Sequence, residues 1–245
     1  MPPNTKPSDV EVIPAILVQD FQQLQELVQS VSSETKKVQV DVVDGVFVRG
    51  RTWPYGSGQA GFDKIVAEEQ GMPLWETIDY EFDLMIDHPE RDIAKFVQAG
   101  AHRIVLHAAS EGVHEAFQAL ISTREEDGGY AVEVGVALLP TVQPEELDPF
   151  EGQFDFVQVM GISRIGRQGE PFEKHALFLV ERLRRRYPGL IIQVDGGITH
   201  ENIQALVHAG ANRLVVGSAV FKAENPLEAL VALTNEARTY AAASI

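Results

Sequence analysis

Short apolar runs rich in β-branched residues alternate with segments of helical spacing along the whole sequence. Eight such runs predict strands, over residues 12–17, 38–42, 80–85, 103–106, 133–138, 156–159, 190–194 and 213–216. Their near-continuous hydrophobicity is typical of parallel strands that lie under helices and are buried on both faces. The alternation therefore predicts an α/β fold with a parallel sheet.

The segments between these strands carry apolar residues at helical spacing. They predict helices over residues 21–31, 62–69, 91–99, 113–123, 144–147, 174–186, 201–209 and 226–242. One connection from a helix to a strand occurs twice with nearly the same sequence. Residues 99–105 (AGAHRIV) recur as residues 209–215 (AGANRLV), and in each case a helix ends at glycine and a strand follows. Eight repeated units of about 29 residues each are typical of a (β/α)8 TIM barrel, which is the predicted fold class.

The chain of 245 residues has no linker rich in proline, glycine or serine. We therefore predict a flexible N-terminal tail over residues 1–10 and a single barrel domain over residues 11–245. The longest irregular stretch, residues 45–61, follows the second strand and would lie over the mouth of the barrel. Its aromatic residues Trp53 and Tyr55 are expected to be exposed, as part of a lid or of an oligomer contact.

Acidic residues outnumber basic ones, with 36 Asp and Glu against 20 Lys and Arg, so the formal net charge is −16. This charge opposes binding to nucleic acid and to anionic membranes. The lack of cysteine in the sequence excludes disulfides, thiolate catalysis and cysteine-type zinc sites. No apolar run approaches about 18 residues, and residues 1–9 carry no stretch typical of a signal peptide. We expect a cytoplasmic protein whose partner is a small molecule, with no nucleic acid and no membrane.

Aspartates stand at the carboxyl ends of several predicted strands, and in a barrel these ends converge on one mouth. They are Asp41, Asp44, Asp83 and Asp195. A single aspartate after a strand is usually a helix cap or a turn former. Several carboxylates together repel one another and need a metal ion, a shared proton or a cationic partner. The pattern indicates either local turns or a carboxylate centre at the mouth.

Glycine-containing loops follow the seventh and eighth predicted strands, and a helix follows each loop. These loops contain Gly196, Gly197, Gly217 and Ser218. In a barrel, this is the usual place for a phosphate group, which binds backbone N–H groups and helix N-termini. The loop over residues 161–169 adds Arg164 and Arg167, either as a clamp on the phosphate or as solvated surface.

Several short motifs follow one another in a definite order along the chain. They are IPAIL at 13–17, VDVVDGVFV at 40–48, DLM at 83–85, Met160 with its glycine-rich loop, VDGGI at 194–198 and VGSAVF at 216–221. Their order and spacing resemble those of the ribulose-phosphate 3-epimerases, from about residue 11 to residue 230. The resemblance implies a TIM barrel of the ribulose-phosphate-binding type. It also implies an isomerase that inverts C3 of a phosphorylated ketose, D-ribulose 5-phosphate or D-xylulose 5-phosphate.

In that family, one aspartate removes the C3 proton and a second returns a proton to the opposite face of an enediolate. The resemblance implies these roles for Asp41 and Asp195. Met85 and Met160 match two of the three methionines that line the family's site, and Val43 stands at the third position. Inversion of a carbon requires one protonated and one unprotonated group on opposite faces, which two such aspartates can supply.

The metal site implied by the resemblance is altered in this chain. The family holds a divalent metal with two histidines and two aspartates, and the histidine positions are occupied by Gln39 and Asp83. Together with Asp41 and Asp195, these residues offer only oxygen donors, so Mg²⁺, Mn²⁺ or Ca²⁺ is expected in preference to Zn²⁺ or Fe²⁺. A metal-free site, with Asp83 protonated or paired to an arginine, is the alternative. His107 matches a common family histidine and is expected in the core or behind the site.

Two classes of function fit these residues. The intact Asp41 and Asp195 favour an epimerase. Gln39, Asp83 and Ala15, the last in place of a substrate-contacting serine of the family, favour a non-catalytic or repurposed sugar-phosphate-binding barrel with an eroded metal site. Decarboxylases on the same barrel usually carry an Asp-x-Lys-x-x-Asp string, and residues 41–44 lack its lysine. Members of the family are commonly homo-oligomers, so we expect a homo-oligomer.

Overall fold

Eight parallel strands close into a barrel in the computed structural model, which describes residues 10–57, 59–126 and 132–243. Neighbouring strands follow the order of the chain, and the last strand pairs with the first. The strands are β1 (Glu11–Ile16), β2 (Lys37–Val43), β3 (Asp79–Met85), β4 (Ala101–His107), β5 (Glu133–Leu138), β6 (Phe156–Met160), β7 (Ile191–Asp195) and β8 (Arg213–Val216). The predicted (β/α)8 TIM barrel is confirmed.

Helices connect the strands and cover the outside of the barrel. Within the described residues they are α1 (Phe21–Val31), α2 (Gln59–Val66), α3 (Ile93–Gln98), α4 (Val113–Glu126), α5 (Lys174–Arg186), α6 (Ile203–Ala209), α7 (Ser218–Phe221) and α8 (Pro226–Ala243). The helices α1 and α5 have the predicted bounds. The helix predicted at residues 144–147 is instead a 3₁₀ helix, Pro144–Phe150. It contains Pro149, which lacks the backbone N–H that an α-helix requires.

The first helix illustrates why the predicted bounds hold. Asp20 has an extended backbone, and its carboxylate accepts a hydrogen bond from the backbone N–H of Gln23 at 2.9 Å, which caps the helix. Leu24, Val28 and Val31 recur at helical spacing and are buried against the barrel. Burial of each such side chain stabilises the fold by about 1.5–3 kcal/mol.

The loop after β2 differs from the expectation of exposed aromatic residues. Trp53 is 0% exposed, and its ring packs edge-on against Phe62 with the ring centroids 5.2 Å apart. The hydroxyl of Tyr55, which is half-buried, donates to Asp92 at 2.6 Å. The prediction that these two residues form an exposed lid or oligomer contact is therefore wrong, because burial of a large aromatic surface ties the loop to the barrel wall.

The predicted N-terminal tail covers residues 1–10, of which residues 1–9 lie outside the described part of the chain. Val10 is buried in the hydrophobic core, so the packed domain includes the last residue of that predicted tail. Across the three described ranges, no helix combines the length and the apolar character that a membrane crossing requires.

The inside of the barrel is polar along much of its length, although barrel interiors are usually filled by branched apolar residues. The buried polar side chains of the lower layers are those of Gln39, Glu81, Arg103, Gln158, Gln193 and Arg213. Arg103 pairs with Glu81 at 3.5 Å and with Glu133 at 2.9 Å, near the amino ends of the strands. The upper members of this polar column lie directly below the strand ends that carry the predicted site residues.

Candidate functional site

Three of the predicted aspartates lie together at the carboxyl ends of the strands. Asp41 on β2 is in register with Asp83 on β3, and Asp195 ends β7 on another side of the ring. One carboxylate oxygen from each lies within 4.8 Å of the others. Asp41 and Asp195 are 7% and 6% exposed, and Asp83 is fully buried. The fold therefore collects three carboxyl groups from strands that are distant in the sequence.

The fourth aspartate, Asp44, has the local role that a single aspartate after a strand usually has. One of its carboxylate oxygens accepts from the backbone N–H groups of Val46 and Phe47, at 2.8 and 3.0 Å. The other oxygen accepts from the backbone N–H of Asp87 at 2.8 Å. Asp44 therefore shapes the loop after β2 and is not part of the carboxylate cluster.

Burial changes the proton affinity of this cluster. Burial raises the pKa of Asp41 from 3.8 to about 8, and the negative charge of Asp83 also raises it. The pKa of Asp195 lies well above its ordinary value, because of burial and of the charges on Asp41 and Asp83. Hydrogen bonds from Gln39 lower both pKa values, but by less than burial raises them. The cluster therefore keeps protons at neutral pH when no cation balances its charge.

The amide of Gln39 connects two of the aspartates. Its Nε2 donates to Asp41 Oδ1 at 2.9 Å and to Asp195 Oδ2 at 3.2 Å. Its Oε1 accepts from Gln193 Nε2 at 3.3 Å and so faces away from the carboxylates. In this orientation Gln39 gives the cluster N–H donors instead of the oxygen ligand that the sequence analysis assigned to it. To bind a metal ion through Oε1, the Gln39 amide would have to rotate by half a turn.

Asp83 is held on both of its oxygens. His107 Nε2 lies 2.9 Å from Oδ1, and Gln158 Nε2 donates to Oδ2 at 2.9 Å. The partners that the structure gives this carboxylate are thus an imidazole and an amide, and not the arginine considered for a metal-free site. The ring of His107 also packs against Phe47, with centroids 5.4 Å apart. His107 therefore supports the site from behind Asp83.

Two glutamines of this site were missed by the sequence analysis. Gln158 and Gln193 sit inside apolar strands, where an isolated polar residue carries no motif. The signal that could have found them is a period of two, because side chains two apart in a strand point to the same side. The pairs that show it are Gln39 and Asp41, Glu81 and Asp83, Gln158 and Met160, and Gln193 and Asp195.

A cavity opens beside the carboxylates. Its lining includes Asp41, Asp195, Met85, Met160, Ala15, Gly196, Gly197, Gly217, Ser218, Gly166, Arg167, Gln168 and Glu170. Gly197 has a φ of +68°, and a Cβ atom there would lie 2.8 Å from the backbone of Phe172. Glycine is therefore required at this point of the wall, and the chain approaches the cavity with its backbone.

The two arginines of the loop after β6 occupy different environments. Arg167 lines the cavity. The side chain of Arg164 is 70% exposed, and its Nη2 pairs with Glu170 at 2.7 Å. Gln168, from the same loop, donates from Nε2 to the backbone oxygen of Ala15 at 3.0 Å. The loop is thus tied to β1, and of the two predicted clamp residues Arg167 is the one that faces the cavity.

The chain is similar to known proteins over most of its length. Residues 11–221 match the Ribulose-phosphate 3 epimerase family. The chain is 33% identical to a ribulose-phosphate 3-epimerase of Schizosaccharomyces pombe over 226 residues, which cover 92% of each protein. It is 31% identical to a ribulose-phosphate 3-epimerase of Synechocystis over 236 residues, which cover 94% of this chain and 95% of the relative.

Solved structures share the fold at lower sequence identity. A ligand complex of KGPDC from Streptococcus mutans has a TM-score of 0.69 at 13% identity, and the match covers 94% of this chain and 98% of that one. A 3-hexulose-6-phosphate synthase from Salmonella typhimurium has a TM-score of 0.66 at 17% identity, with coverage of 94% and 100%. These likenesses concern the barrel alone. The family match, the relatives and the order of motifs on the strands together mean that this chain belongs to the ribulose-phosphate 3-epimerase family, a family of enzymes.

Proposed function

We propose that this chain is a 3-epimerase that interconverts D-ribulose 5-phosphate and D-xylulose 5-phosphate. The observation that carries the proposal is the placement of Asp41 and Asp195, which line one cavity from strands on different sides of the ring. Neither carboxyl group faces bulk water, since they are 7% and 6% exposed. Inversion at C3 needs two proton-transfer groups that reach one carbon from opposite faces, and two carboxyl groups that line one cavity from separate strands support such a role.

The proposed reaction moves one proton off C3 and another onto it. One unprotonated aspartate removes the C3 proton, which leaves an enediolate, and the other, protonated, aspartate delivers its proton to the opposite face of C3. The raised pKa values of Asp41, to about 8, and of Asp195 support this pairing, because adjacent buried carboxyl groups resist ionising together. The substrate isomer that binds decides which aspartate is the base, since the reaction runs in both directions.

The rest of the cavity supports the binding of a sugar phosphate. We assign the phosphate to Gly196, Gly197, Gly217, Ser218 and Arg167, which lie together on its wall. Met85 and Met160 offer an apolar, polarisable surface to the carbon chain of the ketose. Arg164, which pairs with Glu170, braces the loop in this proposal and leaves the phosphate contact to Arg167.

The three carboxyl groups fit a hard divalent cation, because their oxygens lie within 4.8 Å of one another. We propose Mg²⁺ or Mn²⁺ in preference to Zn²⁺ or Fe²⁺, held by Asp41, Asp83 and Asp195, with Gln39 as a further ligand only after rotation of its amide. Such an ion supplies positive charge that stabilises negative oxygens of the reacting ketose. Its binding also favours the ionised forms of the aspartates.

Hydrogen exchange at C3 tests the proposal. In D₂O, the wild type should convert ribulose 5-phosphate to xylulose 5-phosphate with deuterium incorporated at C3, whereas Asp41→Asn and Asp195→Asn should each form the epimer about 10²–10⁴-fold more slowly. A non-catalytic sugar-phosphate-binding barrel would be protected from thermal unfolding by ribulose 5-phosphate without any exchange in the wild type. That result would reject the epimerase and favour the alternative function.

We also propose a cytoplasmic homo-oligomer that has neither nucleic acid nor a membrane as a partner. The net charge of −16 supports the exclusion of polyanionic partners. Sedimentation analysis of the purified protein would measure the oligomeric state directly, and a monomer at micromolar concentration would contradict the proposal.

A further inference from the structure

We propose that Gln158 is a positioning residue of this centre, whose side-chain amide holds Asp83 and Asp195 in their working orientation. The inference deepens the proposed function and rests on it. Gln158 lies on β6 and is fully buried. Its Nε2 donates to Asp83 Oδ2 at 2.9 Å and to Asp195 Oδ2 at 3.4 Å. Because β6 and β3 are three strands apart in the ring, this side chain reaches across the barrel to join them.

The orientation of the Gln158 amide is set from below. Its Oε1 accepts from Gln193 Nε2 at 2.7 Å, and the same Nε2 donates to Glu81 Oε1 at 2.6 Å. Glu81 in turn pairs with Arg103 at 3.5 Å. Since the oxygen of Gln158 is engaged by a donor, its NH₂ group must face the aspartates. The donor and the acceptor of each hydrogen bond between Arg103 and Gln158 are therefore fixed.

Gln193 orients the second amide of the site in the same way. It also donates to Gln39 Oε1, at 3.3 Å, so that the NH₂ group of Gln39 faces Asp41 and Asp195. Gln193 Oε1 itself has no hydrogen-bond partner among the described residues. Turning the Gln193 amide over would bring that oxygen against the oxygens of Glu81 and Gln158. Repulsion between these oxygens keeps the amide in its observed orientation.

Gln158 connects a carboxylate that lines the cavity with one that does not. Asp83 does not line the cavity, whereas Asp195 does, and the Gln158 amide bonds to both. With His107 on the other oxygen, Asp83 has both oxygens engaged and cannot rotate freely. A buried carboxylate that loses a donor must move toward another partner or keep a proton. Loss of the Gln158 N–H groups should therefore misplace two of the three proposed metal ligands at once.

The test compares Gln158→Met, which keeps the length of the side chain but removes its donors, with the wild type. Outer partners of metal ligands typically change metal affinity or activity by about 10–100-fold when they are removed. We expect kcat for epimerisation to fall by about 10–100-fold and the Kd for Mn²⁺, measured by paramagnetic titration without substrate, to rise by a similar factor. KM should change by less than about threefold, because Gln158 does not line the cavity that takes the substrate.

Two further variants sharpen the test. Gln118→Met is the matched control, since Gln118 donates to Gln153 at 3.2 Å on the exposed face of α4, and it should leave kcat and Mn²⁺ affinity unchanged. Gln193→Met keeps Gln158 but frees its amide oxygen, so it should reduce kcat and Mn²⁺ affinity in the same direction. A folded Gln158→Met protein with both constants within about twofold of the wild type would overturn the proposal, since a lost outer partner should cost more.

A measurement on the wild type covers the remaining outcomes. The side-chain amide protons of Gln158 should exchange with D₂O at least about tenfold more slowly than those of the exposed Gln118, because hydrogen-bonded buried groups exchange by opening of the structure. If the variants do not fold, exchange as fast as that of Gln118 overturns the proposal. If the wild type neither epimerises nor binds Mn²⁺, the proposed function fails, and slow exchange still supports the bonds assigned to Gln158.

Discussion

The carboxylate centre and the proposed phosphate wall, which consists of Gly196, Gly197, Gly217, Ser218 and Arg167, meet at one cavity but are built in different ways. The centre consists of side chains on strands, such as Asp41, Asp83 and Asp195, whose oxygens are engaged by amides and an imidazole. The wall consists of loops, in which Gly197 brings backbone groups to the surface and Arg167 adds a positive charge. The proposed chemistry therefore depends on side-chain identity and packing, whereas the proposed binding depends on backbone shape.

The largest effect should follow from a change in the centre. Asp41→Asn removes a proton-transfer group while keeping its size, and loss of such a group lowers turnover by about 10²–10⁴-fold. Deuterium incorporation at C3 should fall to the same extent, and ribulose 5-phosphate should still raise the Tm, because the phosphate wall is intact. Asp44→Asn, at a neighbouring position outside the cluster, is the control and should keep more than half of the wild-type rate. Equal losses in both variants would contradict the assignment.

Loss of the Arg167 charge should weaken substrate binding more than it lowers kcat. Arg167→Met should raise KM by about 10–100-fold, as expected for a lost hydrogen bond to a charged group, with little change in kcat. Arg164→Met should change KM by less than about fivefold, because an exposed ion pair contributes about 0–1 kcal/mol. Steady-state kinetics and competition by inorganic phosphate measure both. A larger effect at Arg164 than at Arg167 would reverse the roles that we propose for the two arginines.

Backbone shape in the wall is tested by Gly197→Ala. The added Cβ would lie 2.8 Å from the Phe172 backbone at a φ of +68°, so the backbone of Gly197 or of Phe172 must shift. We expect KM to rise by about tenfold, which corresponds to about 1.4 kcal/mol. Gly152→Ala is the matched control, because Gly152 has a φ of +79° and open space for a Cβ. It should lower Tm slightly and leave KM unchanged, whereas a rise in KM in both would point to a general loss of stability.

The last prediction concerns stability and not turnover, and it addresses the pH dependence of Tm in the presence of a chelator. Because the folded pKa of Asp41 is raised from 3.8 to about 8, protonation stabilises the folded state, and this contribution is lost as pH rises through about 8. Tm should therefore fall between about pH 5 and pH 8, and Mg²⁺ or Mn²⁺ should restore part of it at the upper end of that range. Asp41→Asn should flatten the profile, and Asp44→Asn should not. A profile that rises with pH would contradict the raised pKa of Asp41.

Positions at strand ends could be found from the sequence, because a strand has a fixed alternation of sides and parallel strands end at the same rim. This is why Asp41, Asp83 and Asp195 could be expected near one another before any coordinates were known. The same reasoning did not identify Gln158 and Gln193. Each is one polar residue in an apolar run, and its partners lie on strands as much as 154 residues away, as for Gln193 and Gln39.

Local rules were enough to predict the barrel, the order of its units, the aspartates on the strand ends and the glycine-containing loops after β7 and β8. These rules are hydrophobic periodicity, strand alternation and the backbone freedom of glycine, and each of them acts within a short stretch of chain. The folded barrel was needed to establish that Trp53 is buried, that Arg164 pairs with Glu170, and that the Gln39 amide turns its N–H groups toward the carboxylates. Burial and hydrogen-bond direction depend on groups that closure of the barrel brings together, and no local motif specifies how such groups meet.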